Sequence, residues 1–252
     1  MPRKAVILGY GIVAYAVFLG ALGYTIGFLA NLGVPKGVDD GVSGPVWAAI
    51  AINAGLLGLF AVQHSVMARP WFKRWWTRHV PAAIERSTFV LAASLVVALL
   101  LWQWRPLPGI VWSVEPQWAR VLLWGLYAAG WAILVLSTFL IGHFDLFGLR
   151  QVLARARQAA YAEPGFRQPL LYRLVRHPIM VGFLIAFWAA PDMSFGRLLF
   201  AVATSAYIVI AVRFEEHDLN AQLGEDYRRY SEQVPRFIPR IARVPQRESS
   251  VA

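Results

Sequence analysis

Cysteine is absent from the 252-residue sequence, so disulfide bonds, thiolate metal sites and a cysteine nucleophile are all excluded. Histidine is also scarce: the chain has five, and none of them forms an HxxxH or HxxHH motif. A di-iron membrane desaturase or hydroxylase needs many clustered histidines. The sequence therefore argues against that class of enzyme, and we expect no metal site.

Charged residues are few as well, at 15% of the chain against about a quarter in soluble domains. Hydrophobic residues make up 58%, and the mean hydropathy is +0.51. This composition is typical of an integral membrane protein. Acidic residues number 14 against 24 lysines and arginines, a net charge of +10. Because these basic residues stand at the ends of apolar runs, membrane topology explains them, and we expect the lipid bilayer rather than nucleic acid as their partner.

Four long apolar segments predict transmembrane helices, because about 20 helical residues cross the hydrocarbon core. They cover residues 6–29, 46–67, 88–104 and 118–141. Two shorter apolar segments, 179–190 and 195–212, are joined by a Pro-Asp-Met-Ser turn and predict a short helical hairpin. The first of the two is too short to cross a bilayer upright. The sequence thus predicts an all-α integral membrane protein with five to six transmembrane helices.

The lysines and arginines predict the orientation of the chain, because cytoplasmic loops carry the excess of these residues. With the N-terminus inside, four basic residues lie in or beside the outer loops: Lys36, Arg105, Arg120 and Arg197. The other twenty of the 24 then lie on the inner side. Six crossings of the cell inner membrane, with both termini on the cytoplasmic side, fit this distribution.

The motif Arg176-His177-Pro178 opens the first of the two short segments. Proline suits the first turn of a helix, because its missing N–H would be unpaired there. His177 is then close to the N-cap, where the free N–H groups attract an anion, and Arg176 adds a cation suited to a carboxylate. The alternative is that Arg176 only pairs with a lipid phosphate or with Glu215.

Glu215 and Glu216 directly follow the second short segment. A carboxylate at the edge of a membrane costs free energy unless it is paired. A helical hairpin brings both glutamates beside Arg176 and His177, and we predict a site at that edge. One glutamate would accept hydrogen bonds from an amine or a ribose while the other orients Arg176. The alternative is a plain cluster of charges at a helix end.

Three further polar residues are expected at the same inner edge. His143 and Asp145 close the fourth span and have the spacing of a base with its orienting carboxylate, or of two metal ligands. His64 stands in the last turn of the second span. It has either a role in substrate binding or a structural hydrogen bond between helices.

These motifs resemble those of known membrane methyltransferases. The C-terminal half of the isoprenylcysteine carboxyl methyltransferases has counterparts of Arg176-His177-Pro178, Glu215-Glu216, Leu223 to Tyr230 and Val234 to Pro239. The related bacterial methanethiol S-methyltransferases, which the chain resembles over most of its length, have counterparts of Gln63 to Ala68, Pro81 to Ser87 and His143 to Gln151. A group of membrane proteins associated with denitrification shares the Gln-His-Ser pattern.

The resemblance implies S-adenosyl-L-methionine as the cofactor, bound at the cytoplasmic face. The pocket residues that it implies are Arg176, His177 and Pro178 as the wall, Glu215 and Glu216 for the polar end of the cofactor, and Tyr227 packed against them. It divides the chain into N-terminal transmembrane helices (1–141), a cofactor-binding half (142–240) and a tail (241–252) that we expect to be disordered. The cofactor-binding half would comprise a cytoplasmic loop, the hairpin and a C-terminal helix.

The implied substrate is a small thiol, methanethiol, which would be methylated to dimethyl sulfide. His143, Asp145 and His64 would lie on the thiol side of the site, and Arg176 or His143 would generate or stabilise the thiolate. Other acceptors remain open, namely another small thiol or an isoprenylcysteine-type carboxylate. So does a non-catalytic role as a membrane accessory protein of nitrogen-oxide reduction. A transporter is disfavoured, because the spans carry little polarity beyond Asn53 and Thr204.

Overall fold

The structure is a computed structural model that describes residues 2–42 and 44–239. Its elements in chain order are α1 (Pro2–Ala30), α2 (Val46–Ala68), α3 (Pro70–Trp76), α4 (Ala82–Gln103), β1 (Ile110–Ser113), α5 (Gln117–Ile141), α6 (His143–Leu146), α7 (Leu149–Arg157), a 3-10 turn (Leu170–Arg173), α8 (Pro178–Trp188), β2 (Asp192–Ser194), α9 (Phe195–Leu223) and α10 (Glu225–Gln233). The expected disordered tail, 241–252, lies outside the described residues.

Within the described residues, five helices are long and apolar enough to cross a membrane: α1, α2, α4, α5 and α9. This confirms the prediction of an all-α, multi-pass membrane protein with five to six spans. The expectation that Glu215 and Glu216 follow the last apolar helix is wrong, since α9 continues to Leu223. It contains no proline, and its one glycine, Gly196, lies in the first turn; Gly224, which has a positive φ of 57°, ends the helix. Glu215 and Glu216 therefore lie inside a continuous helix.

The helix α8 is too short to cross a bilayer on its own, because 11 residues rise about 16 Å. Residues 189–191 follow without regular structure, and residues 192–194 form the strand β2. Ala189, Ala190 and Met193 are buried in this segment, and the indole N–H of Trp112 donates to the carbonyl of Ala190 at 3.1 Å. Non-helical backbone is tolerated within a membrane where the protein shields it. The shielded, non-helical segment 189–194 thus connects α8 to α9.

Segment 189–194 ends in β2, which pairs with β1 in an antiparallel two-stranded sheet. Because β1 lies between α4 and α5, this pairing joins two predicted outer connections at one end of the helix bundle. Arg120 and Asp192 reinforce the junction through a two-nitrogen contact of 3.0 and 2.7 Å. The opposite end of the bundle, towards the C-terminal part of α9, carries the polar cluster of the candidate site.

Two glycines allow α5 and α8 to pack closely. A Cβ atom added at Gly130 would lie 2.7 Å from the backbone nitrogen of Ala186, and one at Gly182 would lie 2.6 Å from the carbonyl oxygen of Gly130. Small residues at such contacts let helix backbones approach one another inside a membrane. The contact fixes α8, and with it the Arg176-His177-Pro178 motif at its start, relative to α5.

Gly130→Ala is expected to lower the stability of the protein by about 1–3 kcal/mol, because the added methyl group forces α5 and α8 apart. The matched control is Gly125→Ala on the same helix, where the added Cβ meets no atom within 4 Å. Thermal unfolding in detergent measures both. Equal midpoints for the two variants would contradict the close packing of α5 against α8.

Candidate functional site

Glu216 is the centre of a buried ion cluster that joins α8, α9 and the C-terminal segment. Its Oε1 accepts from Arg176 Nε at 2.8 Å and lies 3.1 Å from His177 Nε2. Its Oε2 accepts from Arg236 Nε at 2.8 Å. The glutamate side chain is only 7% exposed. A carboxylate this deeply buried is stable because it is paired and fully hydrogen-bonded.

Arg176 is fully engaged within the protein. Besides its contacts with Glu216, its Nη1 donates to the carbonyls of Ser231 at 2.5 Å and Val234 at 2.7 Å. Its backbone N–H donates to the carbonyl of Pro235 at 2.8 Å. All three guanidinium nitrogens are therefore used. Of the alternatives that the sequence left open, Arg176 pairs with a glutamate, and that glutamate is Glu216.

Glu215 stands in a different environment from its neighbour, because adjacent residues of a helix point in different directions. Its side chain is 50% exposed, and its Oε2 lies 3.6 Å from Nδ1 of the buried His177. The structure thus brings Arg176, His177, Glu215 and Glu216 together as the hairpin predicts. Among these four, Glu215 is the acceptor that stays accessible to a ligand.

Tyr227 and Tyr230 on α10 pack the C-terminal segment against the cluster. Both are buried, and the Tyr230 hydroxyl donates to the carbonyl of Tyr172 at 2.6 Å. Burial raises the pKa of Tyr230 to about 12 and that of Tyr227 further, so both hydroxyls stay protonated at neutral pH. The buried Tyr227 hydroxyl has no hydrogen-bond partner within the described residues.

His143 lies in α6, and each of its ring nitrogens contacts a hydroxyl group. Thr138 Oγ1 donates to the carbonyl of Val135 at 2.6 Å, so the same oxygen accepts from His143 Nδ1, which is 2.7 Å away. His143 therefore carries its proton on Nδ1, and its Nε2 accepts from the Tyr15 hydroxyl at 2.7 Å. Burial lowers the pKa of His143, which keeps the ring neutral at neutral pH.

Asp145 does not act as the orienting partner of His143 in this structure. Its Oδ2 accepts from Arg150 at 2.8 Å, and its Oδ1 accepts from the Tyr161 hydroxyl at 3.2 Å. Residues two apart on a helical turn do not face each other. The contacts of the two side chains are thus separate, and the part of the chain that the structure describes contains no group of three or more metal-ligating side chains.

A cleft of about 370 Å³ opens beside the turn that carries His143. Asp145 and Glu163 contribute carboxylates to its walls, Arg150 and Arg167 contribute guanidinium groups, and Phe139 contributes an aromatic ring. The lining thus carries groups of both charges, of which Asp145 and Arg150 form an ion pair at 2.8 Å.

Tyr172 links the region of His143 to the Glu216 cluster. Its hydroxyl donates to the carbonyl of Ser137 at 3.4 Å, one residue before Thr138. Its own carbonyl accepts from Tyr230. Tyr172 therefore connects the region of His143 to the Glu216 cluster.

His64 is separated from the Glu216 cluster. Its ring packs between Phe60 and Phe89, with centroid distances of 5.2 and 4.9 Å, and its buried Nδ1 has no hydrogen-bond partner in the described ranges. It also contacts the ring of Tyr207 on α9. Tyr207 precedes Glu216 by nine residues, or about 13 Å of helix. The structure brings His64 to the same bundle face but not into the cluster.

Sequence reasoning gave no role to four residues that the structure places in these contacts: Tyr15, Thr138, Tyr172 and Arg236. Arg236 stands in the Val-Pro-Arg-Phe-Ile-Pro stretch, whose position after α10 was the available signal. Tyr15 is 128 residues from His143 in sequence, so no local pattern points to it.

Comparison with known proteins finds a matching family model and several relatives of the chain. Residues 53–233 match the family model described as NnrU protein. The chain is similar to the methanethiol S-methyltransferase of Mycobacterium tuberculosis, with 54% identity over 95% of this chain and 98% of the relative. Methanethiol S-methyltransferase 2 of Bradyrhizobium diazoefficiens is 50% identical over 96% and 93%, and the methanethiol S-methyltransferase of a Pseudomonas species is 49% identical over 92% and 89%. No solved structure matches the chain.

Proposed function

The chain belongs to the NnrU protein family and to the family of the methanethiol S-methyltransferases, and from this premise we propose that it methylates methanethiol to dimethyl sulfide with S-adenosyl-L-methionine. The identity of 54% over 95% of the chain carries the proposal. That range takes in most of the chain, so both the His143 turn and the Glu216 cluster fall within the length of the relative. A match confined to short motifs would give weaker support for methanethiol as the substrate.

The residues present fit the proposed cofactor. S-adenosyl-L-methionine carries an amine, a carboxylate and ribose hydroxyls, and it supplies an electrophilic methyl group on a positively charged sulfur. Glu215 is an exposed acceptor for the amine or ribose, while Glu216, Arg176, His177 and Pro178 form a rigid wall beside it. Tyr227 closes the wall on the side of α10, and its buried hydroxyl has no hydrogen-bond partner among residues 2–42 and 44–239.

The thiol side of the proposed site is formed around His143. Methanethiol is mostly protonated at neutral pH, so its proton has to be removed before sulfur acts as a nucleophile. A neutral imidazole is the form that accepts a proton. Phe139 and Phe144 flank His143 and are about half exposed on the bundle surface, which gives an apolar thiol a route from the lipid. Asp145 serves by holding Arg150 and Tyr161 in place.

The proposed location is the inner membrane, with the site and both termini on the cytoplasmic side. Lys36, Arg105, Arg120 and Arg197 mark the end of the bundle that carries the β1–β2 pair, and the more numerous basic residues lie at the end that carries the site. The positive-inside rule supports this orientation.

The function is tested with purified protein in detergent, methanethiol and S-adenosyl-L-methionine, by gas chromatography of the headspace. We expect dimethyl sulfide that accumulates with time and protein concentration. Binding of the cofactor without dimethyl sulfide would point to another small thiol or to an isoprenylcysteine-type carboxylate. Folded protein that does not bind the cofactor would favour a non-catalytic membrane protein.

Glu215→Gln is expected to weaken binding of S-adenosyl-L-methionine about tenfold or more, because a hydrogen bond to a charged group contributes about 1.5–3 kcal/mol. Thermal stability should hardly change, since Glu215 is half exposed. Equilibrium dialysis with radiolabelled cofactor measures the affinity. The control is Glu225→Gln on α10, a glutamate 60% exposed. Equal cofactor affinities of the two variants would show that Glu215 does not bind the cofactor.

A further inference from the structure

The hydrogen bonds of His143 leave no ring nitrogen free for a substrate. Nδ1 donates to Thr138, and Nε2 accepts from the Tyr15 hydroxyl. The one proton of the Tyr15 hydroxyl points to Nε2, while its oxygen keeps acceptor capacity. Across residues 2–42 and 44–239, no hydrogen bond is donated to that oxygen. A proton therefore reaches His143 most directly through Tyr15.

We propose that Tyr15 is a catalytic residue, whose hydroxyl oxygen accepts the proton of a small alkyl thiol and relays its own proton to His143. This inference rests on the proposed function, since it needs a thiol substrate at this site. It adds a residue of α1 to the active site, although α1 lies outside the motifs that carry the resemblance. It also makes His143 the final proton acceptor rather than the group that touches the thiol.

The surroundings of Tyr15 fit a small apolar thiol. Phe18, Phe144 and Phe147 have ring centroids 6.1 to 6.3 Å from that of Tyr15. Tyr15 itself is half-buried, and the exposed face of Phe144 continues to the bundle surface. Aromatic walls hold a methyl group and disfavour water, while the hydroxyl gives the S–H group its hydrogen-bond acceptor.

The proton transfer balances without any further reactant. The S–H bond of the thiol breaks as a new O–H bond forms on Tyr15, and the original Tyr15 proton forms an N–H bond at His143 Nε2. The sulfur retains the electron pair with which it takes the methyl group. The imidazolium, protonated on both nitrogens, then loses one proton to water after the sulfide leaves. Phe139, stacked on the His143 ring at 4.2 Å and 5°, stabilises the cation through its π face.

The test compares Tyr15→Phe with the wild type on two small thiols, methanethiol and the more acidic 2,2,2-trifluoroethanethiol, which is partly ionised at neutral pH. We expect kcat/KM for methanethiol to fall about a hundredfold. The loss for the acidic thiol should be at least about tenfold smaller, because this thiol ionises more readily without a proton acceptor. The matched control is Tyr10→Phe on the same helix, whose hydroxyl donates to Thr88. It should change neither rate.

An equal loss of kcat/KM for both thiols would mean that Tyr15 only supports the packing. No loss would mean that Tyr15 takes no part in the reaction. Either result overturns the proposal. The hydrogen bond from Tyr15 to His143 is measured separately by ¹⁵N NMR of histidine-labelled protein. The signal of His143 is assigned as the one that is missing in His143→Gln. Tyr15→Phe should shift the Nε2 resonance, and Tyr10→Phe should not. If the wild type methylates neither thiol, the proposed function fails. The hydrogen bond between Tyr15 and His143 is then tested by NMR alone, and an Nε2 signal that Tyr15→Phe leaves unchanged overturns it.

Discussion

Glu216→Ala is expected to destabilise the protein by about 3–5 kcal/mol, the range for removing one partner of a buried ion pair. The reason is that the guanidinium of Arg176, 9% exposed, loses the only carboxylate with which it forms an ion pair among the described residues. Arg236 is about half exposed, so water can hydrate its guanidinium group after the glutamate is removed. The segment that Arg176 holds through the carbonyls of Ser231 and Val234 should loosen with it.

Thermal unfolding in detergent measures this loss, with Asp226→Asn as the control. Asp226 is 75% exposed and pairs with Arg229 on the same helix, and exposed pairs of this kind contribute about 0–1 kcal/mol. Joint replacement of the buried pair, Arg176→Met with Glu216→Leu, should recover most of the stability, because apolar residues of similar volume often replace such a pair. Wild-type stability of Glu216→Ala alone would show that the cluster does not hold the fold.

His143→Gln is expected to lower kcat with methanethiol by about 10²–10⁴-fold, the contribution of a positioned general base. Glutamine retains groups that can hydrogen-bond Tyr15 and Thr138, so the variant should fold, but it cannot take a proton. Headspace gas chromatography gives the rate. The control is His79→Gln in an exposed loop, where the ring contacts only the indole of Trp75 among the rings described. Unchanged kcat in His143→Gln would exclude His143 as the proton acceptor.

Hydropathy predicted the spans well because a bilayer imposes a length and a composition on every helix that crosses it. It could not predict the conformation of the segment between α8 and α9. Segment 189–194 reads Ala-Ala-Pro-Asp-Met-Ser, which is equally compatible with a helix end or a loop. Its conformation depends on Trp112 and the β1 strand, which are about 80 residues away in sequence.

The sequence also identified the residues that meet at the polar end, but not their separate roles. Glu215 and Glu216 are identical as residues, and only the direction in which each leaves α9 makes one an exposed acceptor and the other the buried partner of Arg176 and Arg236. Similarly, the spacing of His143 and Asp145 predicted a pair. Their true partners, Tyr15 and Arg150, depend on tertiary packing and on the positive φ of Gly142 before the turn.

The most direct measurement is mass spectrometry of the sulfide released when the donor is S-adenosyl-L-methionine with a trideuterated methyl group. The purified wild-type protein, supplied with unlabelled methanethiol, is predicted to release dimethyl sulfide that carries one intact trideuteromethyl group. His143→Gln, folded and able to bind the cofactor, should release almost none. Folded wild-type protein that binds the cofactor and yields no labelled sulfide would contradict transfer of the methyl group to methanethiol.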